Sequence, residues 1–153
     1  MEFLTNIIVN VDIHVNTLLY AFRNLAAAKV FLWVTLLGEG LTIVVFVLVL
    51  SLFLLLTRKR WQMAALWLVV VGSESFIFIA KIIFQRPRPV GAVFLENSYS
   101  FPSGHAAIAV AFYGFLTYLL IRKIKQKKYR VLITLAGLII MLAIGFSRLY
   151  LGV

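Results

Sequence analysis

The sequence predicts an all-α fold: a polytopic transmembrane helical bundle with four spans and an amphipathic N-terminal helix. Three observations carry this expectation. Of the 153 residues, 63% are apolar and only 13% charged, whereas a soluble domain averages about half apolar. A spanning helix takes about 20 apolar residues, and runs of that length recur along the chain. Those runs lack the apolar/polar alternation of barrel strands, and a helix satisfies its own backbone hydrogen bonds in lipid. A mean hydropathy of +1.05 also excludes a disordered chain, which needs low hydrophobicity and high charge.

Residues 3–22 place Phe3, Ile7, Ile8, Val11, Val15, Leu18, Leu19 and Phe22 at helical spacing, broken by Asn6, Asn10, Asp12, His14 and Asn16. This polar content predicts an amphipathic helix within residues 1–25, at the interface or packed on the bundle, rather than a crossing. The first span runs from Val30 to Leu56, apolar except around Gly38-Glu39-Gly40 and a few hydroxyls. Arg58-Lys59-Arg60 then makes a turn. Trp61 to Phe84 forms the second span, which holds Glu74 and Lys81. All three prolines (Pro87, Pro89, Pro102) fall between residues 85 and 102, so that stretch reads as loop. Gly104 to Ile121 makes the third span and Val131 to about Phe146 the fourth. Neither an internal repeat nor a broken-helix pair stands out, which disfavours a transporter.

The net charge of +10 would suggest nucleic acid in a soluble protein. Here nine of the fifteen Lys and Arg sit in two short turns, 58–60 and 122–130. Membrane topology accounts for them, and no nucleic-acid partner is expected. The positive-inside rule assigns both turns to the cytoplasm. The 85–102 loop and Ser147-Arg148 then share the extracytoplasmic face of a cell-membrane protein. The absence of cysteine removes thiol chemistry. The five acids and two histidines are scattered, without metal-cage spacing, so no metal or cofactor is expected. Met1-Glu2 starts no recognisable signal peptide.

Lys81, Arg86, Arg88, Ser103, His105 and Arg148 thus converge on the face where positive-inside statistics predict few cations. Pro102-Ser103-Gly104-His105 is a good helix start, with Ser103 as N-cap. The same geometry makes an anion site, because free backbone N–H groups and the positive helix end point into the loop. Gly104 removes side-chain bulk there, and His105 in the first turn is placed to give a proton to a leaving oxygen. Glu74 precedes Lys81 by seven residues, on nearly the same helical face. Glu39 and Glu74 are supporting candidates, either as ion-pair partners of the cations or in contact with substrate. Phe94, Leu95, Tyr99 and Phe101 either guide a lipid chain or pack the loop.

The order Lys81-x6-Arg88-Pro89, Pro102-Ser103-Gly104-His105, Ser147-Arg148 resembles the signature of the type 2 phosphatidic acid phosphatases, membrane lipid phosphatases related to vanadium haloperoxidases. The resemblance covers residues from about 30 to the end. It implies a metal-independent phosphohistidine mechanism in which Lys81, Arg88, Ser103, Gly104 and Arg148 hold the phosphate and His105 is the general acid. Pro89 and Pro102 would shape the loops.

The family's third block runs Ser-Arg-x5-His-x3-Asp, its His being the nucleophile. Here Val153 is the fifth residue after Arg148. The expectation is a single phosphatase domain over 1–153, incomplete at its C-terminus and inactive without that His. His14 is a poor substitute, lacking both a Ser-Arg partner and an Asp four residues on. The expected substrate is a phosphorylated lipid in the bilayer, such as undecaprenyl diphosphate or phosphatidylglycerol phosphate, with lipid A phosphate a further candidate. The alternative is a non-catalytic module that binds anionic lipid in the same basic pocket.

Overall fold

The computed structural model describes residues 24–85, 99 and 101–151. The amphipathic helix expected over 1–25 falls, apart from its last two residues, outside the described residues.

Five helices follow: α1 (Leu25–Leu36), α2 (Gly40–Leu56), α3 (Arg60–Phe84), α4 (Gly104–Ile121) and α5 (Lys127–Leu151). Asn24 caps α1, its side-chain oxygen accepting from the Ala27 N–H at 2.7 Å. Helices α3, α4 and α5 are each long and apolar enough to cross a membrane. The α1–α2 pair passes the same test jointly, as one span bent by 41°.

That bend breaks the first span, expected from Val30 to Leu56, at its Gly38-Glu39-Gly40 stretch, and the span starts earlier than expected, at Leu25. Gly38 and Gly40 are poor helix formers flanking an acid. Glu39 adopts an extended backbone (φ −70°, ψ 142°) as the N-cap of α2. One bent helix without a counterpart is not the matched pair of a transporter. Helix α5 also begins earlier and ends later than expected, taking Lys127, Lys128 and Arg130 into its first turns and Arg148 into its last. The exposed Lys127, Lys128 and Arg130 tolerate this placement because their charges snorkel away from the apolar stem.

Helix α5 packs on α4 and α1, α4 also on α3 and α2, and α3 on α2. Ile43, Val47 and Leu54 of α2 meet Leu66, Ile108, Ala109, Phe112 and Ile144 in the core. Outward faces stay apolar, with Leu48, Leu68, Phe76, Ile79, Leu132 and Ile139 all exposed, as lipid-facing surfaces should be. Small residues draw helices together where lipid offers no hydrophobic drive: a Cβ on Gly137 of α5 would overlap the Thr117 hydroxyl of α4.

The two ends of the bundle differ. At one, the Thr57–Lys59 turn meets the 122–126 connection, and the Lys123 ammonium lies 5.6 Å from the Phe53 ring centre. At the other, Phe84 packs edge-on against Phe101 at 5.2 Å, and the Phe31 ring of α1 lies tilted against Tyr150 at 4.4 Å. The basic turns occupy one end, and the described motif residues the other.

Candidate active site

The start of α4 carries Ser103, Gly104 and His105. Ser103 has an extended backbone and accepts from the Ala106 N–H through Oγ, at 3.4 Å. This is a long cap bond, beyond the usual 2.7–3.2 Å range. The Phe101-Pro102 peptide just before it is cis. Among the described residues, a Cβ on Gly104 would meet only the Ile77 Cγ2, at 4.0 Å. Packing among the described residues therefore does not require a glycine there.

Two isoleucines set the cations around this helix start. Ile77 of α3 faces Gly104, and Lys81 lies one helical turn further along the same face. Ile144 of α5 meets Gly38, which also touches His105. A Cβ on Gly38 would stand 2.7 Å from the Ile144 Cγ2, 3.2 Å from the His105 carbonyl oxygen and 3.6 Å from the His105 Cβ. Arg148 lies one turn beyond Ile144, in the last turn of α5. Lys81, the Ser103–His105 start and Arg148 are thus all within about a turn of one helix end.

Burial grades these residues. Arg148 is 7% exposed and Ser147 fully buried; the Ser147 hydroxyl donates to the Ile144 carbonyl at 2.7 Å. A buried guanidinium is costly unless it is paired, and Arg148, like Lys81 and His105, engages other groups. Lys81 and His105 are half-buried, suited to meeting a ligand from solvent or the interface.

Arg86 and Arg88 lie outside the described residues, as do Pro89, Phe94, Leu95, Glu96 and His14. Glu74 is exposed on α3, and among the described residues no cation pairs with it. Glu39 is exposed at the α1–α2 break, next to the glycine that touches His105. Three residues that serve this site were missed in the sequence: Gly38, Tyr113 and Ile144. The Tyr113 hydroxyl donates to the Leu37 carbonyl at 2.9 Å, tying the break to α4. The signals available were a Gly-Glu-Gly interruption and a phenol inside a span.

The model of the PAP2 superfamily matches residues 64–153, more than half of the chain, a range that contains Lys81, Pro102–His105 and Ser147-Arg148. The chain belongs to the PAP2 superfamily. Its relatives include phosphatidylglycerophosphatase B of Bacillus subtilis (strain 168), 30% identical over 165 residues, covering 99% of this chain and 80% of the relative. Among solved structures it resembles a transmembrane PAP2-type phosphatidylglycerolphosphate phosphatase from Bacillus subtilis, with a TM-score of 0.89 at 25% identity, covering 97% of this chain and 75% of the other. With its membrane-spanning helices and its phosphatase relatives, the chain is a membrane phosphatase of this superfamily.

Proposed function

We propose that this PAP2 member hydrolyses a phosphomonoester or diphosphate on a lipid headgroup, without metal, at the extracytoplasmic face of the cell membrane. The reading rests most on one observation: the Ser103-capped helix start is flanked by Lys81 and Arg148, and among the described residues only Ile77 approaches the Cβ position of Gly104. Backbone N–H groups and a positive helix end there favour a phosphate. The cations supply the charge stabilisation that phosphoryl transfer demands.

In this scheme Lys81, Arg88, Ser103, Gly104 and Arg148 grip the phosphate oxygens. His105 protonates the leaving oxygen as the P–O bond to the lipid breaks. The family's nucleophile is a histidine six residues after the Arg of the third block, and in this scheme such a histidine nitrogen takes the phosphoryl group before water releases it. Buried Ser147 holds the α5 turn from which Arg148 reaches inward. Phosphatidylglycerol phosphate is the first candidate substrate, because both named relatives act on it. Undecaprenyl diphosphate is the second.

The test is phosphate release from each lipid by full-length protein in the presence of a chelator, beside His105→Ala. Metal-free release from phosphatidylglycerol phosphate, reduced at least about 100-fold in the variant, is expected. Release that requires an added divalent cation, or survives His105→Ala, contradicts the scheme. Lipid binding without any release selects the non-catalytic module instead.

A further inference from the structure

Helix α1 packs chiefly on α5, and three aromatic rings make the joint. The Phe31 ring of α1 meets Phe146 edge-on at 5.5 Å and lies tilted against Tyr150 at 4.4 Å. Phe146 and Tyr150 stand one turn apart on α5, with their ring centres 6.5 Å apart. The Tyr150 hydroxyl also accepts from the backbone N–H of Asn24, at 3.3 Å. It therefore holds the cap residue of α1 as well as its middle. Tyr150 is buried, and the chemistry proposed for the site gives it no task.

Helix geometry gives this joint a consequence for Arg148. Residues two apart are turned by about 200° around a helix. Docking the Phe146–Tyr150 stripe on α1 therefore leaves the Ile144–Arg148 stripe on the other side of α5. Ile144 is the residue that closes on Gly38, beside His105, and Ile144 and Arg148 are both buried. Arg148 lies in the last turn of α5, where carbonyl groups lack intrahelical partners. What packs on that turn decides its rotation. At its far end α1 runs into Gly38, which touches both Ile144 and His105. One short helix thus reaches from the Arg148 turn to the helix start that carries His105.

We infer that Tyr150 is a positioning residue for the phosphate site: docked on Phe31 and Asn24, it sets the rotation of the last turn of α5 and aims Arg148 at the anion. The inference rests on the phosphate reading given above for Lys81, Ser103–His105 and Arg148. Tyr150 acts through Arg148 and needs no contact with substrate.

The test titrates tungstate, as a phosphate mimic, calorimetrically into the full chain in detergent micelles. Wild-type protein binds it, and Arg148→Gln weakens binding at least about tenfold. Tyr150→Ala removes ring and hydroxyl and weakens binding about tenfold; Phe31→Leu, the milder change from the α1 side, weakens it about threefold. Phe31→Leu decides the point if Tyr150→Ala does not fold. In the Arg148→Gln background neither change adds a further loss, because both act through Arg148. Leu66→Ala supplies the comparison. Leu66 is fully buried in α3 toward the basic end, so its truncation destabilises the fold while tungstate affinity stays within about twofold.

Affinity kept by the folded Tyr150 and Phe31 variants, or lost as strongly in Leu66→Ala, overturns the positioning role. So does a loss that persists undiminished beside Arg148→Gln. Wild-type protein that binds no tungstate, or binds it equally well with Arg148→Gln, contradicts the phosphate reading itself and the positioning role with it.

Discussion

The Tyr113 hydroxyl donates to the Leu37 carbonyl across 2.9 Å, linking the third span to the point where the first one breaks. The next residue is Gly38, wedged between His105 and Ile144. A polar bond inside the bundle thus fixes the break against the helix start that carries the proposed general acid. Tyr113→Phe removes the donor and leaves a carbonyl short of a partner. A loss of about 1 kcal/mol in unfolding free energy is expected, with a larger fractional loss in turnover as the His105 end shifts. Unchanged kcat with lowered stability would make this bond structural only.

Gly38→Ala tests the wedge directly. Its new methyl would meet the Ile144 side chain at 2.7 Å and the His105 carbonyl at 3.2 Å. Overpacking of this kind costs about 1–3 kcal/mol. Ile144→Ala alone also destabilises, because Ile144 is fully buried and truncation leaves a cavity. Together the two changes should cost less than the sum of their separate effects, since the second makes room for the first. Additive unfolding energies would show that the two residues do not press on each other.

Gly137→Ala supplies the contrast. The obstacle there is Thr117 at the α4–α5 crossing, away from the site. Stability should fall by an amount similar to that for Gly38→Ala, and Thr117→Ala should restore most of it. Phosphatase activity of the folded fraction should stay near wild type. A matching collapse of activity would mean that any disturbance of α5 disables the site.

Gly104→Ala separates packing from chemistry. Among the described residues only Ile77 approaches, at 4.0 Å, and alanine favours helix over glycine. Unfolding free energy should hold or rise slightly, while phosphate hydrolysis falls by at least about tenfold as the methyl blocks the anion's approach. Activity equal to wild type would return Gly104 to a role in the helix start alone.

The sequence made the bundle legible because spans announce themselves by length and apolarity, and a Pro-Ser-Gly-His string marks a helix start whatever lies around it. Membership of the PAP2 superfamily was legible for the same reason: its motifs are local strings. The break after Leu36 was less so. Gly38-Glu39-Gly40 weakens a helix, but the decisive contacts come from Tyr113, His105 and Ile144, far away in the chain. Spans that are apolar all round also carry little periodicity, so nothing in Ile77 or Ile144 signalled which side would turn toward Gly104 and Gly38. The lack of a described partner for Glu74 was equally hidden, since sharing a helix face with Lys81 sets direction and not distance.

The central claim is that Lys81, the Ser103–His105 helix start and Arg148 build one phosphate site. Tungstate, a phosphate mimic with a strong anomalous signal, tests it most directly when diffused into crystals of the protein. The account predicts a tungstate ion within hydrogen-bonding distance of the Gly104 or His105 backbone N–H and of both the Lys81 and Arg148 side chains. A tungstate ion bound elsewhere, with that helix start empty at saturating concentration, would contradict it.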